Sequence, residues 1–168
     1  LGQGGIGLPD RDYYTKTDEA SVAIQKAYVA YMAELFKMGG IANPDKAAQR
    51  VYNLEKALAE ISMTRVERRD PDKTYNKFTY QAFVDHPQFG ATPWGDFFKA
   101  AGVPKFNDLV VSQPDFLKGM QALVANTPLA DLRNYLKWSV LNGSAGILDS
   151  RFEKAQFGFY STTLSGTT

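Results

Sequence analysis

Apolar residues recur at helical spacing through most of this chain, and Gly, Pro and Asn punctuate the runs. Over residues 18–38, Ile24, Tyr28, Tyr31, Leu35 and Met38 share one ridge, while Val22, Val29, Met32 and Phe36 form an adjacent one. The pattern predicts a helix with a wider apolar face than a surface helix carries. Gly39-Gly40 ends it, because glycine takes the left-handed conformation favoured at a helix terminus. Asn43 and Pro44 read as the N-cap and first turn of a second helix, whose stripe is Ala47, Val51, Leu54, Leu58 and Ile61.

The remaining stretches are shorter. Residues 62–79 are too charged for a core element, and residues 79–85 predict a short helix. Thr92-Pro93 opens a helix carrying Trp94, Phe97, Phe98 and Ala101, stopped by Gly102. Leu109-Val110-Val111 is the one strand candidate. Pro114 starts a helix with Phe116, Leu117, Met120, Leu123 and Val124, and Thr127-Pro128 repeats the capping pattern ahead of Leu129, Leu132, Tyr135, Leu136 and Val140. Ser150 and Glu153 have capping-box spacing ahead of Phe152, Phe157 and Tyr160. Residues 1–17 read as loop. The expected fold is mainly α: an orthogonal bundle of about six or seven helices with at most one short strand pair. No fixed-length repeat points to a solenoid.

Composition narrows the chemistry more than the fold. Nineteen Lys plus Arg against eighteen Asp plus Glu give a net charge of +1, so the total makes no case for nucleic acid or an anionic membrane. Cysteine is absent, which removes disulfides, thiolate catalysis and cysteine zinc sites. The longest apolar run, residues 27–33, is far short of the roughly 20 residues a bilayer span needs. The chain begins at Leu1 without a basic-then-apolar leader, so either a leader is removed or the chain is cut from something longer.

Candidate sites are few. His86 is the only histidine, and one imidazole cannot supply the two or three that a hydrolytic zinc site takes with a carboxylate. As a general base it would need a nucleophile, yet Asp85-His86-Pro87 is an exposed turn and no G-x-S-x-G elbow exists. No D-x-D-x-D-G calcium loop occurs. Gly2, Gly4 and Gly7 spell G-x-G-x-x-G, but no strand precedes them and no helical stripe follows, so a flexible loop is expected. Arg65, Arg68, Arg69, Lys73 and Lys77 are interleaved with Glu67, Asp70 and Asp72, which should pair with the arginines and tie the loop down. A carboxylate-gripping role for these arginines is the lesser alternative. Asn142-Gly143-Ser144 fits the N-glycosylation pattern.

Several stretches carry a resemblance that periodicity does not. Gly7-Leu8-Pro9-Asp10-Arg11-Asp12-Tyr13-Tyr14 resembles the G-L-P-x-R-D-Y-Y signature of the N-terminal part of neprilysin-like zinc metallopeptidases. Arg68-Arg69-Asp70-Pro71 followed by Thr74-Tyr75-Asn76-Lys77-Phe78-Thr79 is similar to that family's R-R-D-P…Y-N-K-M-T loop, with Phe78 in place of Met. Val110-Val111-Ser112-Gln113-Pro114-Asp115-Phe116-Leu117 resembles its strand-to-helix segment. Phe159-Tyr160 through Thr163-Leu164-Ser165-Gly166-Thr167 resembles the stretch before its R-W segment, with Ser161 where Gly often stands. The matches are collinear and weakest over residues 86–92.

The resemblance implies a two-lobed endopeptidase in which a mainly helical lobe closes over a thermolysin-like zinc lobe, leaving an internal chamber that admits only modest peptides. In that family H-E-x-x-H supplies two zinc ligands and the general base, a later E-x-x-x-D the third ligand and an orienting acid, and an N-A-x-Y strand holds the substrate backbone; none of these is in this sequence. Residues 1–168 are then expected to be part of the lid, with no catalytic or metal residue of their own. Zinc and the catalytic domain would lie in the parent polypeptide beyond Thr168. The expected partners are that catalytic domain and peptide substrates, with no nucleic acid and no membrane contact from this segment. The expected location of the parent is extracytoplasmic: periplasmic, secreted or anchored through a preceding part, in a bacterium. A stand-alone helical module that binds a peptide or protein without catalysis is the alternative.

Overall fold

A computed structural model describes residues 1–167. In chain order the elements are α1 (Asp12–Thr15), α2 (Glu19–Met38), α3 (Pro44–Glu60), α4 (Pro71–Thr74), β1 (Asn76–Thr79), α5 (Tyr80–Val84), α6 (Trp94–Ala100), β2 (Asp108–Val111), α7 (Pro114–Asn126), α8 (Leu129–Ser144) and α9 (Ser150–Gln156). Single 3₁₀ turns follow at Glu67–Arg69 and Ala145–Ile147, and a π-helical segment, Phe157–Leu164, continues α9. The class is mainly α, with one strand pair among the described residues. The helices beyond the six or seven expected are α1 and α4, four-residue turns too short to leave a periodic signature.

α2 begins where Asp18 accepts from the Ser21 N–H, and it buries Tyr28, Tyr31, Met32, Leu35 and Phe36. It ends as expected: Gly40 takes φ +70° and the Ile41 N–H reaches back to the Phe36 carbonyl. Three caps differ from expectation. Asn43 makes no side-chain cap to α3; it stands at φ +50°, a left-handed turn that Asn tolerates, and only its carbonyl receives Ala47. The cap of α9 is Asp149, which accepts from Arg151 N, so Ser150 is inside the helix and no capping box forms with Glu153. The Thr127 hydroxyl donates to Leu123 O at the end of α7 instead of capping α8.

β1 lies inside the stretch expected to hold no core element. It pairs antiparallel with β2, Asn76 opposite Val111 and Phe78 opposite Leu109. A four-residue strand with one apolar residue, Phe78, gives no legible alternation.

The apolar side chains gather in two clusters. The larger one joins α2, α3, α8, α9 and the π segment around Tyr14, Tyr28, Phe36, Val51, Trp138 and Phe159. The smaller one joins α5, α6, β2 and α7 around Phe83, Phe89, Trp94, Phe98, Val111 and Leu117. Aromatic edges and faces dominate both. Tyr31 stacks on Phe159 with ring centroids 5.1 Å apart, and Phe83 meets Trp94 at 5.1 Å.

Candidate functional site

The most chemically distinct position in the molecule is Glu55, and helical periodicity hid it. It lies on the buried side of α3 between Val51 and Leu58, and is 1% exposed. Its Oε2 accepts from the Tyr14 hydroxyl (2.7 Å), the Tyr28 hydroxyl (2.9 Å) and the Gly7 N–H (3.3 Å). Its Oε1 accepts from the Trp138 indole N–H at 2.9 Å. A carboxylate away from water is tolerated only when its lone pairs are filled, and four donors from four parts of the chain fill them. Burial pushes the Glu55 carboxyl above its ordinary value, and the four hydrogen bonds oppose that rise. Burial and the neighbouring Glu55 charge likewise push the Tyr14 and Tyr28 hydroxyls up, so both phenols stay protonated donors.

The signature residues of the first loop are built around this carboxylate. Tyr14, buried in α1, donates to Glu55 and accepts from the Gly7 and Leu8 N–H groups. Leu8 is buried in the larger core. Gly7 has no room for a side chain: a Cβ there would lie 2.0 Å from the Tyr28 hydroxyl oxygen. The Gly7 carbonyl receives the Tyr160 hydroxyl at 3.0 Å, which fastens the π segment to the same loop. Arg11 donates to the Ser62 carbonyl, the Asp12 N–H donates to Asp10, and the Tyr13 carbonyl receives Gln25. Pro9 is exposed.

The glycine-rich start is therefore pinned, contrary to the flexible loop expected. Gln3 exchanges hydrogen bonds with the Met63 backbone, its own N–H donates to the Gln113 side chain, and Tyr135 donates to Gly5 O. Neither strand nor nucleotide-binding helix flanks Gly2, Gly4 and Gly7.

The second signature loop is arranged differently. Asp70 caps α4 through Asp72 N and Pro71 opens that helix. Glu67 accepts from the Thr64 N–H and hydroxyl, both at 2.8 Å. These acids cap turns and do not pair with the neighbouring arginines as expected. The acid that engages Arg65 is Asp10 of the first signature, at 2.5 Å, and Lys77 pairs across the sheet with Asp108 at 3.1 Å. Arg68, Arg69 and Tyr75 are exposed, and Pro114 is the first residue of α7.

The remaining candidates lose their chemistry on inspection. His86 is half-buried, not exposed: its ring stacks on Phe89 at 4.2 Å and its Nδ1 accepts from Gln88 N. Among the described residues no three His, Asp or Glu side chains gather to hold a metal ion. Asn142 is not a free glycan acceptor. Its Nδ2 donates to the Tyr160 hydroxyl and its Oδ1 accepts from the Tyr31 hydroxyl, inside α8.

α8 carries apolar residues on two opposite sides. Trp138 points inward to Glu55 and is 1% exposed. At about 100° per residue, Leu129, Leu136 and Val140 fall on the far side of the helix, and they are 61%, 63% and 67% exposed. Polar residues, among them Asp131, Arg133 and Lys137, separate the two sides, so the outer one is a second apolar stripe of its own. Among the described residues nothing covers that outer face. No helix of the described residues is long and apolar enough to cross a membrane.

Against known proteins, the N-terminal model of peptidase family M13 matches residues 1–168. Mouse endothelin-converting enzyme 1 is 31% identical over 163 residues, which is 94% of this chain and 21% of that protein. Mouse endothelin-converting enzyme-like 1 is 31% identical over 161 residues, 92% of this chain and 20% of that protein. Among solved structures, the Mycobacterium tuberculosis zinc metalloprotease ZMP1 in its open state superposes with a TM-score of 0.90 at 31% identity, covering 99% of this chain and 26% of that one. Its inhibitor complex gives 0.86 at 30% identity, covering 97% and 25%. The chain thus spans about a fifth to a quarter of the length of these relatives.

Proposed function

This chain belongs to peptidase family M13, and on that premise we propose that it is part of the helical, non-catalytic lobe of a two-lobed zinc metalloendopeptidase. It shapes and closes the chamber in which another part of the parent polypeptide hydrolyses peptides. What carries this proposal is that the family match runs through the whole chain while the chain's own donors do not fit a zinc ion: its single imidazole is committed to Phe89 and Gln88. Zinc supplies an activated water in such enzymes, and its ligands belong to the parent, outside residues 1–168.

The contribution of this lobe is exclusion. A rigid helical wall keeps bulk water from the reacting peptide bond and keeps folded proteins out. Rigidity comes from the Glu55 cluster, which joins the first loop, α1, α2, α3 and α8 at one point. The bare outer face of α8 supports a location inside a larger molecule and speaks against a self-sufficient binding module. The partners are the catalytic part and the peptide substrates; nucleic acid is disfavoured because Asp10 and Asp108 already engage Arg65 and Lys77. We place the parent outside the cytoplasm of a bacterium, as a periplasmic, secreted or anchored enzyme.

The test has two arms. The parent open reading frame should encode H-E-x-x-H, and the purified parent should cleave a quenched fluorogenic peptide until a chelator removes its zinc. Residues 1–168 alone, supplied with zinc, should show no turnover. Chelator-sensitive cleavage by this chain alone overturns the assignment, as does a parent without the zinc motif.

A further inference from the structure

Away from the Glu55 cluster, the α6 end of the molecule carries a concave pocket of about 640 Å³, within the size range that small organic ligands occupy. Its floor is aromatic. Phe106 meets Phe98 edge-on at 5.0 Å and Tyr80 at 5.4 Å, so the rings brace one another. Phe98 is buried and belongs to the smaller core, which fixes the floor to α6 and the sheet.

The rim is cationic. Lys99, in the last turn of α6, and Lys105, in the following loop, both line the pocket, and no acidic residue does. Neither lysine is ion-paired among the described residues. The nearest acids in sequence are Asp96, one turn before Lys99, and Asp108, which Lys77 already holds. The Tyr80 hydroxyl adds a further polar group, and Gly95 leaves it open, since a Cβ there would lie only 3.2 Å from it. An apolar floor with a few polar groups at its edge is the general form of a small-ligand site. Here the polar groups are two ammonium ions, a phenol and the Asn107 amide, with no carboxylate among them, which suit a negative head.

We infer that this pocket binds an amphipathic monocarboxylate, its apolar body on Tyr80, Phe98 and Phe106 and its carboxylate between Lys99 and Lys105. The site is independent of the peptidase assignment. Every residue it invokes lies in this chain.

Isothermal titration with decanoate below its micellar concentration tests this on the 168-residue chain, with decanol as the uncharged counterpart. The wild-type protein should bind decanoate at one site. Lys99→Glu/Lys105→Glu should weaken decanoate by at least about tenfold and leave decanol unchanged, because only the head is read by the lysines. Leu136→Asp, on the outer face of α8, should leave decanoate affinity unchanged. Circular dichroism verifies that each variant is folded; should the double Glu variant fail, Lys99→Gln/Lys105→Gln takes its place. Absence of saturable decanoate binding, equal affinity in the lysine variant, or loss through Leu136→Asp overturns the inference. So does binding of a tetrapeptide ending in Phe where decanoate does not bind, which would make the pocket a peptide site.

Discussion

Replacing Glu55 by Ala should be the most damaging single change in this chain, and its cost follows from the hydrogen bonds. The substitution leaves the Tyr14 hydroxyl, the Tyr28 hydroxyl and the Trp138 indole N–H without an acceptor, all three side chains being buried. Each unsatisfied buried donor costs roughly 1–3 kcal/mol, and removal of a desolvated charge offsets part of the sum. A net loss of about 3–5 kcal/mol is expected, the range for breaking one side of a buried polar cluster. For a chain of this length each kcal/mol moves the melting temperature by about 2–4 °C, so the variant should melt roughly 6–20 °C lower. Glu55→Gln is the informative companion. It can keep an oxygen facing Tyr14, Tyr28 and Gly7, but sets an amide NH₂ against the Trp138 N–H, a loss of about 1–3 kcal/mol.

Thermal melts by far-ultraviolet circular dichroism measure the losses, and near-ultraviolet signal from Trp138 reports whether the cluster itself is disturbed. The pH dependence is a second readout. Because burial raises the Glu55 carboxyl above its ordinary 4.5, the folded state holds the proton more tightly than the unfolded state. Stability contributed by this group should therefore fall as pH rises from that ordinary value through the raised one, then level off. Glu55→Gln should lack that segment of the pH profile. An Ala variant melting within about 2 °C of wild type, or a Gln variant with an unchanged pH profile, would falsify the central position given to Glu55.

Three further outcomes are expected. Gly7→Ala forces a Cβ to within 2.0 Å of the Tyr28 hydroxyl oxygen, and should destabilise by about 1–3 kcal/mol, seen as a lower urea midpoint; an unchanged midpoint would show that the loop shifts freely. In a glycosylating host, peptide mass spectrometry should find Asn142 unmodified, since its Nδ2 is spent on Tyr160, whereas a glycan there would mean that α8 opens before folding is complete. Leu136→Asp should leave the melting temperature of this chain nearly unchanged, within about 0.5 kcal/mol, because the residue is 63% exposed, while reducing any self-association seen by analytical ultracentrifugation.

Helical periodicity located the long elements well because their apolar residues repeat over several turns. The stripe of α3 placed Val51, Leu54 and Leu58 on the buried side, as observed. What it could not place was Glu55 on that same side, since a charged residue at a core phase looks like a break in the stripe unless its donors are known. Those donors, Tyr14, Tyr28, Trp138 and Gly7, are dispersed through the chain, and proximity between distant positions has no local signature. A partial signal existed: a Glu amid a clean apolar stripe, with an unusual wealth of tyrosine elsewhere, is the composition of a buried acceptor awaiting phenol donors. The same locality limits the caps. Asn43 and Ser150 have the right residue type near a helix start, yet a left-handed turn at one and Asp149 at the other decide the geometry.

The two unusual features of the chain meet on one helix. α8 reaches Glu55 through Trp138, while about 180° away Leu129, Leu136 and Val140 stand in solvent. The indole already reaches its acceptor at 2.9 Å, and a surface that grips the outer face resists any movement of α8 away from α3. Those three side chains are 61%, 63% and 67% exposed, so covering what remains would stabilise by roughly 1–2 kcal/mol apiece, comparable to the whole cost of losing the Glu55 cluster. Stability of the cluster and occupancy of the outer face are then linked: binding there raises the free energy of every opening that separates α8 from α3. In the parent polypeptide, Leu136→Asp should accordingly lower the melting temperature far more than in this chain and increase hydrogen exchange at the Trp138 indole. Equal sensitivity of the two proteins would mean that the outer face of α8 stays in water throughout.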